Sequence, residues 1–293
     1  MQEFDILTPT SLDEAVSLLR QHGEEAKLIA GGNSLVLLLK NDLISPGHLI
    51  SLHGVPGLDR VTADGAGGLT LGALVTHRTV ETSPLIRERR PVLTAMARQI
   101  ASPLIRSRAT IGGNLCQAHP QADPPPLLAA LGARVQLAGN NGGREMAVGD
   151  LFKDYFETVL EPQEILTAIT IPPPPPRSGS AYLRLTTRSV ADLPCVTVAV
   201  QVSLDAAKQR CEDASIVLGA MGPTPIRAGA AEELLRGKSL TDAVLKEAAA
   251  KAVEGTQPVS DLHASAWYKR EVAQVLVVRA LRQAAAQARA QAA

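Results

Sequence analysis

Apolar residues recur along the chain at two spacings, and the switches between them predict its elements. Phe4–Leu7 reads as a short strand. Thr10-Ser11 then opens a helix, with Glu14 three residues after Ser11 as a capping-box partner. Ala15, Leu18 and Leu19 form its apolar face, and Gly23 ends it. Lys27–Ala30 reads as a buried strand, Leu35–Leu39 as a packed helical turn, and Leu49–Leu52 as the next strand. Arg60–Leu74 reads as two strands around Asp64-Gly65, a hairpin signal weakened by the extra glycines. Thr76–Glu81 and Pro91–Ile100 are helical, and Leu127–Leu131 begins a helix or packed turn. Ala133–Leu137 and Arg144–Val148 pair through the turn Asn140-Asn141-Gly142-Gly143, and Ile165–Ile171 alternates as a strand.

Pro172 to Pro176 cannot continue that strand and predict a stiff connector, hence a domain boundary. Beyond it, Ala181–Thr187, Cys195–Leu204 and Glu212–Leu218 read as strands. Ala228–Leu235, Thr241–Ala252 and Ala266–Gln287 read as helices, with an Ala-, Arg- and Gln-rich tail expected to fray. Strands first and helices after suggest an α+β layer. The resulting division is 1–175, with subdomains of about 1–55 and 56–175, followed by 176–293.

Two stretches interrupt this pattern with glycine. Ala30-Gly31-Gly32-Asn33-Ser34 follows an apolar strand, and Thr110-Ile111-Gly112-Gly113-Asn114 follows a second segment. A diglycine turn lets a ligand reach main-chain distance, and successive free N–H groups there suit a phosphate. Two such turns, each leaving a strand, could face the two phosphates of a dinucleotide. Neither is the helix-opening G-x-G-x-x-G fingerprint nor a P-loop. Asp123 ends the second stretch, either bonding a ribose or capping the segment after it.

Composition narrows the chemistry. With 29 Lys+Arg against 29 Asp+Glu, the net charge of zero argues against a nucleic-acid surface. Cys116, Cys195 and Cys211 are too few and too scattered for an iron–sulfur cluster or structural zinc in this chain. Sparse cysteines and an N-terminus without a long apolar run suit a mature, cytoplasmic protein, and no run is long enough to span a membrane. No acid–base set or nucleophile elbow is present, so a bound cofactor carries the chemistry. His77 reads as a helix-start histidine bonded locally or as a ligand contact. His119 reads as a structural group, with a covalent flavin link as its sharper alternative. Cys116 reads as a small residue beside a cofactor or as a redox thiol.

The combination A-G-G-N-S, T-I-G-G-N and D-P-P-P resembles the FAD-binding medium subunit of the molybdenum hydroxylases. Leu71–His77, Glu164–Leu166 before Ile171-Pro172, and Tyr182-Leu183-Arg184 with Arg188 and Asp192 resemble further landmarks of that family. The resemblance implies an α+β fold: a PCMH-type FAD-binding domain of two α/β subdomains, then a C-terminal domain of antiparallel sheet packed with helices. It implies that Ala30, Gly31, Gly32, Asn33 and Ser34 hold one side of the pyrophosphate, with Leu35 a further FAD contact. Thr110, Ile111, Gly112, Gly113 and Asn114 would hold the other. Asp123 would bond a ribose hydroxyl, Leu166 would lie beside the adenine, Arg184 near the flavin's polar edge and Leu193 near its ring. Thr76, His77, Cys116 and Ala118 complete the implied FAD contacts. No catalytic side chain and no metal ligand is expected in this chain. Asn33 stands where relatives often have His, Thr or Ser, and Arg184 where they often have Lys.

The implied protein carries one non-covalent FAD. A large molybdopterin-binding partner would oxidise the substrate, and a small partner would pass electrons through [2Fe–2S] clusters. The implied assembly is a dimer of heterotrimers, and the implied acceptor is NAD, a quinone or O₂. A self-sufficient FAD oxidase and a flavin-free assembly module are the alternatives.

Overall fold

The structure is a computed structural model that describes residues 3–140 and 142–291. Asn141 of the predicted hairpin turn lies outside the described residues. The first layer is a three-stranded parallel sheet with His48–Ser51 between Asp5–Leu7 and Ala26–Ile29. Helix Leu12–His22 crosses it, capped as the sequence predicts. Ser11 Oγ accepts from the Glu14 N–H, and the Glu14 carboxylate accepts from the Thr10 N–H at 2.7 Å. The helix ends on Gly23, whose φ of 53° favours glycine.

The second layer is a five-stranded antiparallel sheet, ordered Val61–Ala63, Leu69–Gly72, Ile165–Ile171, Arg134–Gly139, Gly142–Ala147. The strand before the prolines is thus its centre, although it arrives last. Helices His77–Thr82, Pro84–Arg89, Pro91–Ala97, Pro103–Arg106, Ile111–Gln117 and Pro124–Ala130 accompany this sheet. Pro84–Arg89 and Pro103–Arg106 carry too few residues for a visible period. Each starts with proline after a serine whose hydroxyl caps it. Pro124, Pro125 and Pro126 open a helix rather than break one. Their missing N–H groups fall where a helix has no internal acceptor to offer.

The third layer is a four-stranded antiparallel sheet of Ser178–Leu185, Val196–Leu204, Cys211–Gly219 and Ile226–Arg227. Helices Gly229–Leu235, Asp242–Val253 and Ala266–Ala290 follow in sequence. The expected fraying of the last helix is corrected: it stays helical to Ala290. Ala280, Ala284, Ala285 and Ala288 are buried, so its small residues form a packing face. The Ala284 carbonyl comes so close that a Cβ on Gly179 would lie 2.1 Å from it. Gln287 Oε1 accepts from the Ser180 N–H at 3.1 Å, fixing the helix on the edge strand.

Tyr182, Ala199 and Val217 of the third layer belong to the same core as the five-stranded sheet. The two layers are therefore welded by apolar contact. No helix among the described residues is long and apolar enough to cross a membrane.

Candidate functional site

The strand Ala26–Ile29 ends at Ala30, and the chain turns at Gly32 with φ 76°, a conformation that β-carbons penalise. Helix Leu35–Lys40 begins only after this turn. Among the described residues, the amides of Gly32, Asn33, Ser34 and Leu35 have no protein acceptor. Gly31 has a different duty. A Cβ there would lie 2.0 Å from the Arg108 carbonyl oxygen, so its missing side chain admits the backbone of the turn at Arg108. Asn33 Nδ2 donates to the Ile105 carbonyl at 3.3 Å, a second tie to that neighbour.

The second glycine pair differs from the expected turn. Thr110 bridges Thr76 in extended conformation, and Ile111–Gln117 is a helix containing both glycines. Its first amides are already used. Ile111 N–H donates to Val75 O, Gly112 N–H to Ala73 O and Gly113 N–H to Thr110 Oγ1. The free amide cup predicted at this position is therefore absent. Gly112 is glycine because a Cβ would meet Ala73 at 2.7 Å. What remains for a ligand is the Thr110 hydroxyl proton, the bare surface of Gly113 and the Asn114 side chain. Asn114 Oδ1 is buried without a protein partner.

The two segments share one cavity of about 250 Å³. Ala30 to Leu35 line it from one segment and Thr110, Gly112, Gly113, Asn114 and Cys116 from the other, and Leu166 lines it as well. Leu28, Leu52, Leu74 and Ile165 add apolar surface that the sequence reading did not assign. Ala73-Leu74 lies inside the L-G-A-L-V-T-H landmark, but that reading picked Thr76 and His77 from it instead. Cys116 opens onto the cavity. Crowding by protein pushes its thiol upward, to about 12, and although the open side moderates that rise, the thiol stays protonated at neutral pH.

Seven predicted residues stand off this wall: Thr76, His77, Ile111, Ala118, Asp123, Arg184 and Leu193. Thr76 caps helix His77–Thr82, its hydroxyl accepting from the Thr79 N–H. His77 is fully buried, and neither ring nitrogen has a partner, so the local bond expected of it is absent. Burial, aided by the Arg106 charge, lowers its pKa to about 4, leaving a neutral ring. Ile111 is core, Ala118 closes the helix in left-handed conformation, and Leu193 is exposed on the loop before Val196–Leu204.

Asp123 does not cap its helix. Its carboxylate accepts from the Tyr182 hydroxyl, and Arg184 Nη1 stands 3.1 Å away. All three side chains are buried, and burial raises Asp123 to about 6 against the opposing pull of Arg184 and Tyr182. Arg184 also donates to the carbonyls of Gln99 and Asp192. His119 stays outside the cavity wall: its Nδ1 accepts from the Gln121 N–H, and its ring stands edge-on to Phe156.

A sheet-and-helix cradle with unused amides, a hydroxyl donor and an apolar floor defines a dinucleotide-binding protein. These residues fit FAD: the amides and Thr110 suit a diphosphate, and the floor suits an aromatic ring. Residues 2–174 match the family model for the FAD binding domain in molybdopterin dehydrogenase. Residues 181–284 match that of the CO dehydrogenase flavoprotein C-terminal domain. The chain belongs to this family and is the FAD-binding medium subunit of a molybdenum hydroxylase, an oxidoreductase. It is 36% identical over 286 residues to the carbon monoxide dehydrogenase medium chain of Afipia carboxidovorans, covering 98% of each chain. It is 35% identical to a 6-hydroxypseudooxynicotine dehydrogenase complex subunit alpha of Paenarthrobacter nicotinovorans, covering 98% of this chain and 96% of that one. The carbon monoxide dehydrogenase structure from Hydrogenophaga pseudoflava superposes with a TM-score of 0.93 at 34% identity, covering 98% of both chains.

Proposed function

We propose that this chain receives electrons singly from the [2Fe–2S] clusters of a small partner and delivers them in pairs to NAD, a quinone or O₂. One non-covalent FAD, held in the cavity, supplies the one- and two-electron redox chemistry. A large molybdopterin-bearing partner oxidises the substrate. The three chains form a heterotrimer that pairs into a dimer, in the cytoplasm. The names of the relatives, a medium chain and a complex subunit, support the multisubunit reading. They also act on different substrates, so the substrate follows the large partner and not this chain.

The roles of Gly32 to Leu35, Thr110, Leu166 and the other leucines follow from the cavity; those of Asp123, Arg184 and Leu193, which stand off its wall, follow from membership of the family. Gly32 to Leu35 donate amides to a phosphate, and the Thr110 hydroxyl donates from the other wall. Leu28, Leu52 and Leu74 exclude water around an aromatic ring, and Leu166 adds backbone contacts there. Asp123 accepts from a ribose hydroxyl, Arg184 sets positive charge near the flavin's polar edge, and Leu193 lies near its ring. The domain limits are 1–175, with parts 1–55 and 56–175, and 176–293, where the prolines fall.

The observation that carries this reading is the cavity shared by residues 30–35 with Thr110, Gly112, Gly113, Asn114 and Cys116 in a chain of the FAD-binding family. Gly113→Val tests it. A branched side chain there would crowd the Thr110 hydroxyl, 2.8 Å from the added Cβ, and project toward Ala30 across the cavity. Flavin content of the purified complex should fall at least tenfold, and substrate should no longer bleach the flavin band. Unchanged flavin content would remove the 110–114 segment from the site.

A further inference from the structure

Tyr182 and Arg184 are two residues apart on strand Ser178–Leu185, so both side chains leave the same face of the sheet. That face meets the helix opened by Asp123, and both side chains end on its carboxylate. The acid belongs to the FAD-binding half, and both donors belong to the C-terminal half. We propose that Tyr182 is a positioning residue for the flavin site, its hydroxyl holding the Asp123 carboxylate in one orientation and in its ionised form. The proposal rests on the reading that Asp123 accepts from a ribose hydroxyl.

Besides the uncharged Thr197 hydroxyl, the geometry leaves the phenol no other side-chain partner. Tyr182 is buried in the core shared by the two layers, beside Ala199 and Val217. Its register partner Ala199 and the neighbouring strand offer it no charged side chain. A buried hydroxyl needs a partner, and a carboxylate is the strongest acceptor within reach. Burial and the Asp123 charge push the phenol well above its ordinary value, so it remains a donor at every working pH. A lone Arg184 would hold Asp123 from one side only. Arg184 is itself shared with the carbonyls of Gln99 and Asp192.

The groups that could titrate with Asp123 are few. Helix Pro124–Ala130 carries none, and neither Pro91–Ala97 nor Val196–Leu204 carries any. Helix Ile111–Gln117 carries only Cys116. Strand Cys211–Gly219 has Cys211, Glu212 and Asp213, but at the end that pairs with Ser203-Leu204, away from Tyr182. Arg188 pairs with the Asp192 side chain and not with Asp123. His119, four residues before Asp123, turns its ring to the Gln121 N–H and Phe156. A change in the Asp123 titration can therefore be assigned to Tyr182 and Arg184.

The experiment titrates the ¹³C carboxyl signal of Asp123 in the full-length, flavin-free chain, assigned by its loss in Asp123→Asn. Tyr182→Phe keeps the ring and removes the donor. Its Asp123 midpoint should rise by about one pH unit, and its FAD dissociation constant at pH 7 should rise about tenfold. In the Asp123→Asn background, adding Tyr182→Phe should change FAD affinity no further. An unmoved carboxyl midpoint, or a second tenfold loss in that background, would overturn the proposal. Incorporating 3-fluorotyrosine at position 182, a stronger donor of nearly the same size, should lower the midpoint; an unmoved or raised midpoint would overturn the proposal with the ring and its hydroxyl kept in place. If Asp123→Asn binds FAD as tightly as wild type while Tyr182→Phe still moves the midpoint, the ribose contact fails and the Tyr182–Asp123 coupling stands.

Discussion

Residues 30–34 and 110–114 repeat Gly-Gly-Asn behind a small or β-branched residue, yet the fold uses them in opposite ways. In the first segment the chain turns at positive φ, and its amides point at no protein acceptor. In the second the same letters open a helix whose first amides are consumed by Val75, Ala73 and Thr110. The glycines serve packing in both. Gly31 admits the Arg108 carbonyl, and Gly112 admits Ala73. One segment is thus the anion cup, and the other is a wall that offers side chains. A repeated motif does not imply a repeated mechanism; the neighbours that claim its N–H groups decide.

The most severe test of this division is Gly31→Ala. The added Cβ has backbone at 2.0 Å and cannot be relieved by a side-chain rotation. The variant should lose about 3 kcal/mol of stability, read as a thermal midpoint lower by about 6–12 °C. A wild-type midpoint with flavin lost would make Gly31 a ligand contact instead of a packing glycine.

Acid should loosen the second segment and spare the first. His77 donates its backbone N–H to Ala109, just ahead of Thr110, and its neutral ring is buried. Its folded pKa of about 4 lies below the ordinary value of 6.5, so the unfolded chain binds the proton more tightly. Stability from this group is complete above pH 6.5 and is lost as pH falls toward 4, on the order of 2 kcal/mol. Thermal midpoints measured from pH 7 to 4.5 should slope less in His77→Phe than in wild type. Asp123 slopes the other way, since its raised value favours the protonated native state between its ordinary value and about 6. Asp123→Asn should therefore steepen the acid loss, and equal slopes in all three proteins would refute both assignments.

The gentlest test is Thr110→Val, which keeps shape and removes the hydroxyl that accepts from the Gly113 N–H. It should cost about 1 kcal/mol of stability and weaken FAD binding, with Thr110→Ser restoring both. Weakened binding without any stability loss would mean that the hydroxyl serves only the ligand.

Much of this was legible in the chain. The capping box at Ser11–Glu14, the strand Ile165–Ile171 and the last three helices announce themselves through local spacing. Both walls of the cavity were readable from the glycine pairs, and Leu166 from its landmark. Leu28, Leu52 and Leu74 were not, because an apolar residue looks the same whether it faces a core or a cavity. The frayed tail was a misreading of composition. Alanine is a weak core former alone, but one face of alanines fits a sheet whose own strand carries Gly179. His77 was misjudged because a helix-start position promises local partners, while burial depth is set by distant chain.

Local chemistry fixed which stretches become strand, helix or tight turn, since propensity, caps and glycine conformation act over a few residues. It also fixed the family, because the ordered landmarks are themselves local. Tertiary structure decided which N–H groups stay free, which glycines face backbone and which face a cavity. It also decided that an acid from one half meets a phenol and a guanidinium from the other. Those outcomes depend on contacts between residues tens of positions apart, and hydrogen-bond competition over such distances leaves no mark on a local spacing.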